Sequence, residues 1–303
     1  MIGIIVLNYN NVDDTIKCVD SIYKNCPYDK YKLCVVDNCS QLSVYERIKN
    51  YLSKKENLNM SLAGKCEGWT GHLQYIRSEE NVGYAKGNNI GLNHMRNDPD
   101  IHYYLILNND VIITEDILTP LSDYLNNYGN CAVVSPLLYG PKGDIDYECA
   151  RKEKSLIDIL SKITLLKNVK WVKQHELNNR ILREHPSLVN KNEIEIDLPS
   201  GSCMMFPKKV FEEIGFFDPH TFLYFEEDIL SSRIKNIGMK AFLLPKVSCV
   251  HLGAGTTSKS PSIFIRECYR NSLLYYLSKY KKISKPLLWY IKFRTYLSLI
   301  YQK

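Results

Sequence analysis

The sequence predicts an α/β protein with a mostly parallel central sheet flanked by helices. Over the first 140 residues, short apolar runs of strand character alternate with longer segments whose apolar residues recur at helical spacing. Alternation of this kind is typical of strand–helix–strand units, in which consecutive strands lie parallel in one sheet. The chain has 303 residues, of which 45% are hydrophobic, and this is enough for a large buried core.

The elements of this first region follow one another in a regular order. Apolar runs predict strands at Ile2–Leu7, Tyr31–Val36, Leu73–Ile76, Tyr103–Leu107 and Ala132–Ser135. Helical spacing predicts helices at Asp13–Lys24, Val44–Leu52, Gly83–Met95 and Ile117–Tyr128. The apolar opening has no basic stretch before it, so we interpret it as a first buried strand rather than as a signal peptide.

The pattern is weaker in the second half of the chain. From Asp144 to Glu195, Lys and Asn are frequent, and we interpret this segment as a variable insertion or lid with one or two helices within Glu153–Lys170. Order returns with a predicted strand at Leu198–Phe206, helices at Lys208–Ile214 and Glu226–Asn236, and short strands at Ala241–Leu244 and Val247–Val250.

Three predicted strands end in polar clusters, which predicts a ligand site along one edge of the sheet. The clusters are Asn8-Tyr9-Asn10, Asp37-Asn38-Cys39-Ser40 and Asn108-Asn109-Asp110. In parallel sheets, ligands bind beyond the carboxyl ends of the strands. A buried strand that ends in Asn-Asn-Asp directs oxygen ligands to that edge, where a divalent cation and a phosphorylated ligand can bind. The alternative is a simple turn, because Asn and Asp favour turns.

Two candidate nucleotide contacts each have a structural alternative. Asp37 follows the second strand, where it either hydrogen-bonds a base or ribose or caps the next helix together with a neighbouring serine. The segment Asn81–Asn89 has two glycines at a loop-to-helix junction, which suits phosphate but does not match the dinucleotide fingerprint. Asn89 lies on an otherwise apolar stripe, so it either ties this helix to the Asp110 loop or contacts the ligand.

Candidate acceptor and catalytic residues lie in the second half. The segment Pro199-Ser200-Gly201-Ser202 is either a simple turn or a place where an acceptor approaches the backbone closely. Glu226-Glu227-Asp228 places three carboxylates together, which suits either a helix amino terminus or a general base. His251 precedes a Gly- and Thr-rich loop, and it is either structural or the imidazole that completes a metal shell begun by Asp110.

Charge and cysteine content argue against several classes of protein. The net charge is +6, but the stretch from Arg266 to Lys303 carries nine Lys/Arg and one Glu, so the rest of the chain is slightly acidic. Basicity confined to the tail argues against a nucleic-acid groove and for one basic surface. The ten cysteines are scattered singly without a CxxC pair, which argues against zinc and for reduced, mostly buried thiols in a cytosolic protein.

The last forty residues are basic and aromatic. Apolar residues recur at helical spacing from Leu273 to Tyr280, and Leu287–Tyr301 mixes aliphatic and aromatic residues with Lys292 and Arg294. The second segment is too short and too charged to span a bilayer. It is either a terminal helix that packs on the domain or on the partner subunit of a homodimer, or an interfacial helix on anionic lipid.

Taken in order, seven motifs resemble the inverting glycosyltransferases of family 2, which have the GT-A fold, and specifically their rhamnosyltransferase-like branch. The resemblance runs from Ile2 to about Tyr280, with the middle segment poorly matched. The motifs are Val6–Asn10, Val36–Ser40, Asn81–Asn89, Leu107–Asp110, Gly201–Met204, Glu226–Leu230 and Val250-His251. The resemblance implies a glycosyltransferase domain over 1–262, with a nucleotide-sugar-binding half at 1–140, an insertion or lid at 141–197 and an acceptor and catalytic half at 198–262. A C-terminal helical extension follows at 263–303.

The resemblance also implies roles for single residues. The implied nucleotide-binding residues are Asn8, Asn10, Asp37, Asn81, Gly83, Lys86, Asn89 and Asn109. The implied acceptor-binding residues are Gly201, Ser202 and Glu226. The family's catalytic Asp falls at Glu227, with Asp228 as the alternative register. Asp110 would bind Mg²⁺ or Mn²⁺ as the acid of a DxD-type motif whose first position is Asn108 here, and His251 would approach the metal or the diphosphate.

The implied function is a metal-dependent, inverting transfer of rhamnose or a similar sugar in surface polysaccharide synthesis. The donor would be dTDP-rhamnose or a UDP-sugar, and the acceptor a glycan or lipid-linked hydroxyl. The implied location is the cytoplasm, with peripheral contact of the tail to the inner face of the membrane and no nucleic-acid partner. Two alternatives stay open. A nucleotidyltransferase would need a glycine-rich, basic phosphate loop, which Asn8–Asn11 lacks. A catalytically silent sugar-nucleotide-binding scaffold stays open because of the departures at Asn108 and Glu227.

Overall fold

The computed structural model describes residues 1–56, 59–63, 71–156, 158–159, 179–253 and 262–300. The strands in these ranges are β1 (Ile2–Asn8), β2 (Tyr31–Asp37), β3 (Asn59–Leu62), β4 (Leu73–Arg77), β5 (Tyr103–Asn108), β6 (Val111–Ile113), β7 (Cys131–Tyr139), β8 (Ala150–Arg151), β9 (Ile194–Ile196), β10 (Leu198–Pro199), β11 (Cys203–Pro207) and β12 (Lys240–His251). The helices are α1 (Val12–Asn25), α2 (Leu42–Leu52), α3 (Gly83–Met95), α4 (Leu118–Asn127), α5 (Ile181–Glu184), α6 (Lys208–Glu213), α7 (Glu226–Asn236), α8 (Ser262–Lys279) and α9 (Lys285–Ile300). Short 3₁₀ turns lie at Tyr28–Lys30, Tyr147–Cys149 and Pro186–Asn190.

Ten of the described strands form one mixed, mostly parallel sheet. Its order is β3-β4-β2-β1-β5-β11-β7-β12-β6, with β9 also paired to β12, while β8 and β10 form a separate pair. The pairs among β1 to β5 in this order are parallel, as is β7 with β12. β11 runs antiparallel between β5 and β7, and β6 and β9 run antiparallel to β12. This arrangement confirms the predicted fold class.

The strands and helices predicted for the first 140 residues are all present. Their bounds agree within two residues, except that β7 continues to Tyr139. The central strands β1, β2 and β5 are buried along nearly their whole length, which is why they appear in the sequence as continuous apolar runs. The prediction missed β3, whose residues alternate between half-buried and exposed at the sheet edge, and β6, which has only three residues.

The second half departs from the prediction at two places. The predicted strand Leu198–Phe206 is broken into β10 and β11 by a turn at Ser200-Gly201-Ser202. The two strands predicted around Pro245 are one strand, β12, whose register against β7 shifts between Leu244 and Ser248. Proline has no N–H to donate, and the register shift accommodates it without ending the strand. Most of the predicted helix Glu153–Lys170 lies outside the described residues.

The C-terminal helices pack on the main domain through a second hydrophobic cluster. Its buried members include Phe225 and Ile229 of α7, Leu273, Tyr276 and Leu277 of α8, and Ile291 of α9. Ser272 Oγ also donates a hydrogen bond to the Leu223 carbonyl at 2.9 Å, in the loop before α7. Helices α8 and α9 are therefore fastened to the helix that carries the three candidate carboxylates.

The buried carboxylate of Asp218 forms a polar junction between the same helices. Asp218 Oδ2 accepts a hydrogen bond from Arg233 Nη2 of α7 at 2.9 Å, and others from the hydroxyls of Tyr275 and Tyr280. Asp218 Oδ1 accepts one from the His220 N–H at 3.0 Å. Burial raises the pKa of Asp218, but the hydrogen bonds from Tyr280, His220 and Tyr275 outweigh burial and hold this pKa well below its ordinary value.

We expect Asp218→Asn to lower the free energy of unfolding at pH 7 by about 3 kcal/mol, because Arg233 loses its buried counter-charge. A carboxylate whose pKa is depressed in the folded state stabilises that state above its unfolded pKa of about 3.9, and this contribution is lost as the pH falls. The difference between variant and wild type in urea unfolding should therefore shrink below about pH 4.

The control for this experiment is Asp100→Asn. It removes a carboxylate that pairs with Lys32 but is 64% exposed, so it should cost less than about 1 kcal/mol. Equal losses of stability in the two variants would show that the buried Asp218 carboxylate stabilises the fold no more than an exposed one does.

The cysteines that the structure describes are thiols within the core. Nine of the ten fall in the described ranges, all nine are free, and eight are buried. Burial raises the pKa of Cys131 and of Cys149 to about 12, so both stay neutral at physiological pH.

No helix within the described ranges is long and apolar enough to cross a membrane.

Candidate active site

A cavity of about 540 Å³ opens beyond the carboxyl ends of β1, β2 and β5. Residues that directly follow these strands line one side of it, namely Tyr9 after β1, Asn38 after β2, and Asn109 and Asp110 after β5. The other side includes Asn81, Gly83, Ser202 and His251. The three polar strand ends thus converge on one cavity at the edge of the sheet where the sequence predicted a ligand site.

Strand pairing brings Asp110 and His251 together at this cavity. β6 pairs with the end of β12 so that His251 lies opposite Val111, and the Leu252 N–H donates to the Asp110 carbonyl at 2.8 Å. Asp110 is almost completely buried, and its Oδ1 lies 3.5 Å from His251 Nε2. Asp110 Oδ1 has no hydrogen-bond partner among the described residues. Because this buried oxygen accepts no hydrogen bond from these residues and has only the longer contact with His251 Nε2, a ligand that binds the oxygen is favoured.

Asp146 holds the imidazole of His251 from the other side. Asp146 Oδ2 lies 2.9 Å from His251 Nδ1, while His251 Nε2 lies 3.3 Å from Ser202 Oγ. Burial lowers the pKa of His251, but the carboxylates of Asp110 and Asp146 outweigh burial and raise this pKa to about 9. Sequence reasoning misses Asp146, because it lies in the segment interpreted as a variable insertion and no motif marks it.

The pair Asp110 and His251 is suited to a divalent cation. Carboxylate oxygen and imidazole nitrogen are both ligands for metals such as Mn²⁺, and the two side chains line the same cavity. A carboxylate behind a histidine ligand, like Asp146 here, fixes the ring at many metal sites. Across the described ranges, no group of three or more His, Cys, Asp or Glu residues is arranged to hold a metal ion. The described residues therefore offer two candidate ligands at this point, Asp110 and His251.

Asn8 and Asp37 lie side by side on adjacent parallel strands. The β1–β2 pairing places them opposite each other, and Asn8 Nδ2 donates to Asp37 Oδ1 at 3.0 Å. Arg77 Nη1 lies 3.1 Å from Asp37 Oδ2. Burial raises the pKa of Asp37, although Ser40 and Arg77 oppose this shift. Asn8 and Asp37 are both fully buried, and the residues that follow them, rather than these two, line the cavity.

Asn10 and Asp37 organise the loop that leads into α2. Helix α2 has Gln41 as its N-cap residue and no side-chain cap, so the helix-capping alternative for Asp37 is wrong. Asp37 Oδ2 instead accepts a hydrogen bond from the Ser40 N–H at 3.2 Å. Asn10 has a left-handed φ of 53°, and its Oδ1 accepts a hydrogen bond from the Gln41 N–H at 2.8 Å. These bonds tie the loops after β1 and β2 together.

The loop before α3 forms a hydrogen-bonded wall of the larger cavity. Asn38 Nδ2 donates to Asn81 Oδ1 at 2.9 Å, and Asn38 Oδ1 accepts from the Val82 N–H at 3.0 Å. The Gly83 N–H donates to Asn81 Oδ1 at 3.0 Å. Asn81 and Gly83 therefore line the cavity together with Asn38, which the sequence placed in a polar cluster but did not single out.

Lys86 and Asn89 from the same segment lie elsewhere on α3. Lys86 is exposed and does not line the cavity. Asn89 Nδ2 donates to the Phe217 carbonyl at 2.8 Å, and Asn89 Oδ1 accepts from the Phe217 N–H at 3.2 Å. Asn89 thus ties α3 to the segment before α7, and its proposed tie to the Asp110 loop is wrong. The polar side chain of Asn89 is thus satisfied by hydrogen bonds to the Phe217 backbone.

A second cavity of about 270 Å³ adjoins the first. The residues that line both cavities are Tyr84, Asn108, Ser202 and Leu223. The second cavity is also lined by Gly201 and by the three carboxylates at the start of α7, Glu226, Glu227 and Asp228. The fold therefore brings the candidate acceptor-binding and catalytic residues together, next to the cavity of Asp110 and His251.

The carboxylate of Glu227 is held at one oxygen. Glu227 Oε1 accepts a hydrogen bond from the Gly201 N–H at 3.1 Å and lies 3.6 Å from Arg151 Nη2. Gly201 is fixed in turn, because the Tyr84 hydroxyl donates to its carbonyl at 2.6 Å. A Cβ at position 201 would lie only 2.8 Å from Glu227 Oε1, so a larger residue there would displace the Glu227 carboxylate. Sequence reasoning does not single out Tyr84 within the Asn81–Asn89 motif, and it misses Arg151, which belongs to no motif.

The three carboxylates at the start of α7 differ in their surroundings. Glu226 and Asp228 are almost completely buried, whereas the side chain of Glu227 is 22% exposed. Burial and the neighbouring charge of Glu227 raise the pKa of Glu226 to about 8, and burial also raises the pKa of Asp228. A general base must reach the acceptor hydroxyl, and Glu227 has the most exposed carboxylate of the three, which favours it as the base.

The backbone that leads into α7 is strained. Tyr224 and Phe225 have left-handed φ angles of 74° and 68°, which side chains other than glycine rarely adopt. Such strain persists only where the surroundings hold it, and it is common at functional sites. The buried side chain of Phe225 belongs to the cluster that joins α7 to α8 and α9. The C-terminal helices therefore help to hold the start of α7.

Helix α8 also forms part of both cavity walls. Phe264 and Ile265 line the larger cavity, and Tyr269 lines the smaller one. The loop after His251 is described as far as Gly253, and its Ala254–Thr257 segment lies outside the described residues. The segment that the sequence separates as a C-terminal extension thus contributes side chains to the site.

Comparison with protein families gives a match to glycosyl transferase family 2 over residues 3–215, which is more than half of the chain. The chain belongs to glycosyltransferase family 2. The part of this family 2 chain that matches includes Asp37, Asp110 and Gly201, whereas Glu227 and His251 lie beyond it. The family match therefore does not locate Glu227 and His251. The structure brings them to the two cavities.

Two curated proteins are similar to this family 2 chain. One is the low-salt glycan biosynthesis hexosyltransferase Agl10 of Haloferax volcanii, 26% identical over 217 residues, or 67% of this chain and 64% of the relative. The other is the N-acetylglucosaminyl-diphospho-decaprenol L-rhamnosyltransferase of Mycobacterium tuberculosis, 21% identical over 191 residues, or 63% of this chain and 60% of the relative. The chain thus spans less than two thirds of the length of both relatives.

Solved structures show the same GT-A fold. The chain aligns with GalNAc-T7, solved with UDP, GalNAc and Mn²⁺, at a TM-score of 0.59 and 14% identity over 93% of this chain and 49% of that one. It aligns with the mannosyltransferase PcManGT of Pyrobaculum calidifontis, solved with GDP-Man and Mn²⁺, at a TM-score of 0.56 and 17% identity over 97% of this chain and 69% of that one. At these identities the likeness concerns the fold alone.

Proposed function

We propose that this protein transfers a sugar from a nucleotide-diphosphate donor to an acceptor hydroxyl, with inversion at the anomeric carbon. The observation that carries the proposal is the contact between the two cavities. Asn108 and Ser202 line both, Asp110 and His251 line the larger one, and Glu227 lines the smaller one. Donor and acceptor bound in adjoining cavities would have their reacting atoms side by side, which removes much of the entropic cost of bringing them together.

We assign the nucleotide sugar to the larger cavity. Its volume of about 540 Å³ is in the range of small-molecule sites. Tyr9, Asn38 and Asn81 offer a ring and amides to the base and ribose, while Asn109 and Asp110 lie where strand β5 ends and would face the diphosphate. Asn8, Asn10 and Asp37 would act by shaping the two loops. The UDP and GDP-Man in the two similar structures support a donor of this class.

We propose that Asp110 and His251 hold Mg²⁺ or Mn²⁺. The unpartnered Asp110 Oδ1 beside His251 Nε2 supports this assignment, as does the Mn²⁺ in both similar structures. A bound divalent cation would offset the negative charge that develops on the leaving diphosphate. Asp146 would keep the imidazole of His251 in its orientation.

Glu227 is the proposed general base. It takes the proton of the acceptor hydroxyl as the acceptor oxygen attacks the anomeric carbon. The bond from that carbon to the diphosphate oxygen breaks, and its electron pair leaves with the diphosphate. Attack from the face opposite the leaving group inverts the anomeric centre without a covalent enzyme intermediate. The Gly201 N–H and Arg151 orient Glu227 Oε1 before the acceptor arrives.

We propose rhamnose or a similar hexose as the donor sugar, with a glycan or a lipid-linked sugar as the acceptor in surface polysaccharide synthesis. The names of the two curated relatives support these classes, since one is a glycan-biosynthesis hexosyltransferase and the other an L-rhamnosyltransferase named for a diphospho-decaprenol substrate. Tyr269, Arg151 and Lys154 line the smaller cavity together with its carboxylates, and this mixture of a ring and charged groups suits a polar sugar.

Asp110→Ala should abolish the metal-dependent part of donor binding, because it removes the proposed carboxylate ligand. The measurement is a thermal-shift panel of dTDP-, UDP- and GDP-sugars with and without Mn²⁺. In the wild type, a donor at 100 times its Kd stabilises the folded state by about 2.7 kcal/mol, and we expect Mn²⁺ to lower that Kd.

The matched control is Asp123→Ala, which removes an exposed carboxylate on α4 and should keep the metal-dependent shift. A metal-dependent shift retained in Asp110→Ala would place the cation elsewhere.

Turnover assays separate glycosyl transfer from the two alternative functions, nucleotidyl transfer and a catalytically silent scaffold. Release of nucleoside diphosphate in the presence of acceptor indicates transfer, pyrophosphate release indicates a nucleotidyltransferase, and donor binding without turnover indicates a scaffold.

A further inference from the structure

Helix α9 has one buried and one exposed face. Ile291 and Thr295 are buried on the side that joins the second hydrophobic cluster. On the exposed side, Trp289 is 67% exposed, Phe293 46% and Tyr296 53%. Spacings of four and three residues align these three side chains in one stripe along the helix. Within it the rings of Trp289 and Phe293 are stacked, with centroids 5.7 Å apart.

The same surface is basic, and its lysines are not neutralised by acids in the part of the chain that the structure describes. Lys285 and Lys292 are exposed on α9, and Lys282 is exposed in the turn before it, where it has a left-handed φ of 49°. None of these three lysines forms an ion pair with a residue that the structure describes. In the sequence, no acidic residue follows Glu267. The outer face of α9 therefore combines large aromatic side chains with unneutralised positive charge.

We propose that the exposed face of α9 docks on an anionic membrane surface. In this arrangement Trp289, Phe293 and Tyr296 enter the boundary between headgroups and acyl chains, and Lys282, Lys285 and Lys292 contact headgroup phosphates. Rings with polar tips and lysines with long apolar stems suit this boundary. At 16 residues and with several charges, α9 suits a helix that lies on a bilayer better than one that spans it.

Charge complementarity favours a lipid surface over a second copy of the chain. In a two-fold dimer through this face, α9 of one protomer would meet α9 of its partner. That contact would bring together two basic stretches without acids, and like charges would oppose it. Anionic lipid instead supplies the missing negative charge, at a gain of roughly fivefold in binding for each lysine near the surface.

The docking face is rigidly joined to the catalytic half of the protein. Ile291 of α9 packs in the same cluster as Phe225 and Ile229 of α7, the helix that begins with Glu226 and Glu227. Helix α8 lies between them and supplies Tyr269 to the smaller cavity. A protein bound through α9 would therefore hold its proposed acceptor cavity at a fixed position relative to the membrane.

Vesicle pelleting tests the proposal with the full chain and without substrates, so its outcome is independent of the proposed reaction. The probes are vesicles of phosphatidylcholine alone and of phosphatidylcholine with phosphatidylglycerol, at low and high salt. We expect binding to the anionic vesicles that weakens as salt screens the lysines. The triple variant Lys282→Gln/Lys285→Gln/Lys292→Gln should bind these vesicles at low salt on the order of 100-fold more weakly.

The triple variant Trp289→Ser/Phe293→Ser/Tyr296→Ser should bind at least about tenfold more weakly, because it removes the apolar part of the contact. Leu42→Ser/Met60→Ser/Tyr128→Ser is its matched control, since it removes three exposed apolar side chains far from α9 in the chain and should bind like the wild type. Circular dichroism and thermal melting would verify that all variants are folded.

Three results would overturn the proposal. These are an absence of binding to anionic vesicles, equal losses in the aromatic variant and its control, and a wild-type dimer in light scattering that the aromatic variant converts to a monomer. The last result would assign the face to a second copy of the chain.

Discussion

Glu227→Gln should abolish sugar transfer while leaving donor binding intact. We expect kcat to fall by about 10²–10⁴-fold, because an amide cannot take the proton of the acceptor hydroxyl. Glutamine keeps the size of the side chain and a carbonyl oxygen that can accept from the Gly201 N–H, which lies 3.1 Å from Glu227 Oε1. The fold and the larger cavity should therefore be unchanged. Release of nucleoside diphosphate measures turnover, and the donor-dependent thermal shift measures binding.

The neighbouring carboxylates are the matched controls for this variant. Burial raises the pKa of Glu226 to about 8, so below that pH the group is mostly neutral, and Glu226→Gln imitates its neutral form. We expect Glu226→Gln to keep most of its kcat at pH 7. Asp228→Asn should also retain turnover, because Asp228 is almost completely buried and is less accessible to an acceptor hydroxyl than Glu227. Loss of turnover in Asp228→Asn but not in Glu227→Gln would make Asp228 the base.

Gly83→Ala should be the most destabilising single-methyl change at the site. Gly83 has a left-handed φ of 80°, and a Cβ there would overlap the Phe222 carbonyl and lie 2.8 Å from Phe222 Cα. The adjacent Tyr84 N–H donates to that same carbonyl at 2.9 Å, so the backbone cannot move apart without losing the bond. Backbone strain and overlap together should lower the free energy of unfolding by about 3 kcal/mol or more. Donor binding should weaken too, because Gly83 lines the larger cavity.

Gly143→Ala separates the two causes of that loss. Gly143 has a φ of 79°, nearly the same as Gly83, but a Cβ there would meet no atom within 4 Å. It should therefore cost only the backbone strain of about 1 kcal/mol. Urea unfolding of the two variants measures the difference, which is the contribution of the overlap with Phe222. Similar losses of unfolding free energy in both variants would mean that Phe222, in the loop before α7, can move away from the new methyl group at little cost.

The sequence predicts the central sheet, and the polar residues at the carboxyl ends of its strands, because both leave a local pattern in the chain. Strands buried on both faces read as continuous apolar runs, and helix α3 is bounded by Gly83 and Met95 as the helical spacing predicts. The polar residues at the ends of β1, β2 and β5 converge because the carboxyl ends of parallel strands share one edge. Local pattern and long-range geometry agree in this region, so Asn109 and Asp110 could be placed in advance.

Other parts of the site depend on contacts that no local pattern encodes. Asp110 meets His251 only because the three-residue strand β6 pairs with the far end of β12. Arg151 and Asp146 reach the site from a segment of weak pattern, and each acts on a residue more than 70 positions away in the chain. Asn89 is a case in which the local pattern misleads. As a polar residue on an apolar stripe, it suggested a ligand contact or a tie to the Asp110 loop. Its side-chain amide is instead hydrogen-bonded to the backbone of Phe217.

Strand β11 has a consequence for how the protein is made. It lies between β5 and β7 in the sheet, although both precede it in the chain. As the polypeptide leaves the ribosome, β5 can pair with β1, but its other edge stays open until residues 203–207 have been synthesised. Exposed strand edges recruit other chains, so a nascent or truncated product that ends before β11 is prone to aggregate. The first 140 residues therefore cannot close their own sheet, and the protein completes the proposed donor-binding surface only late in translation.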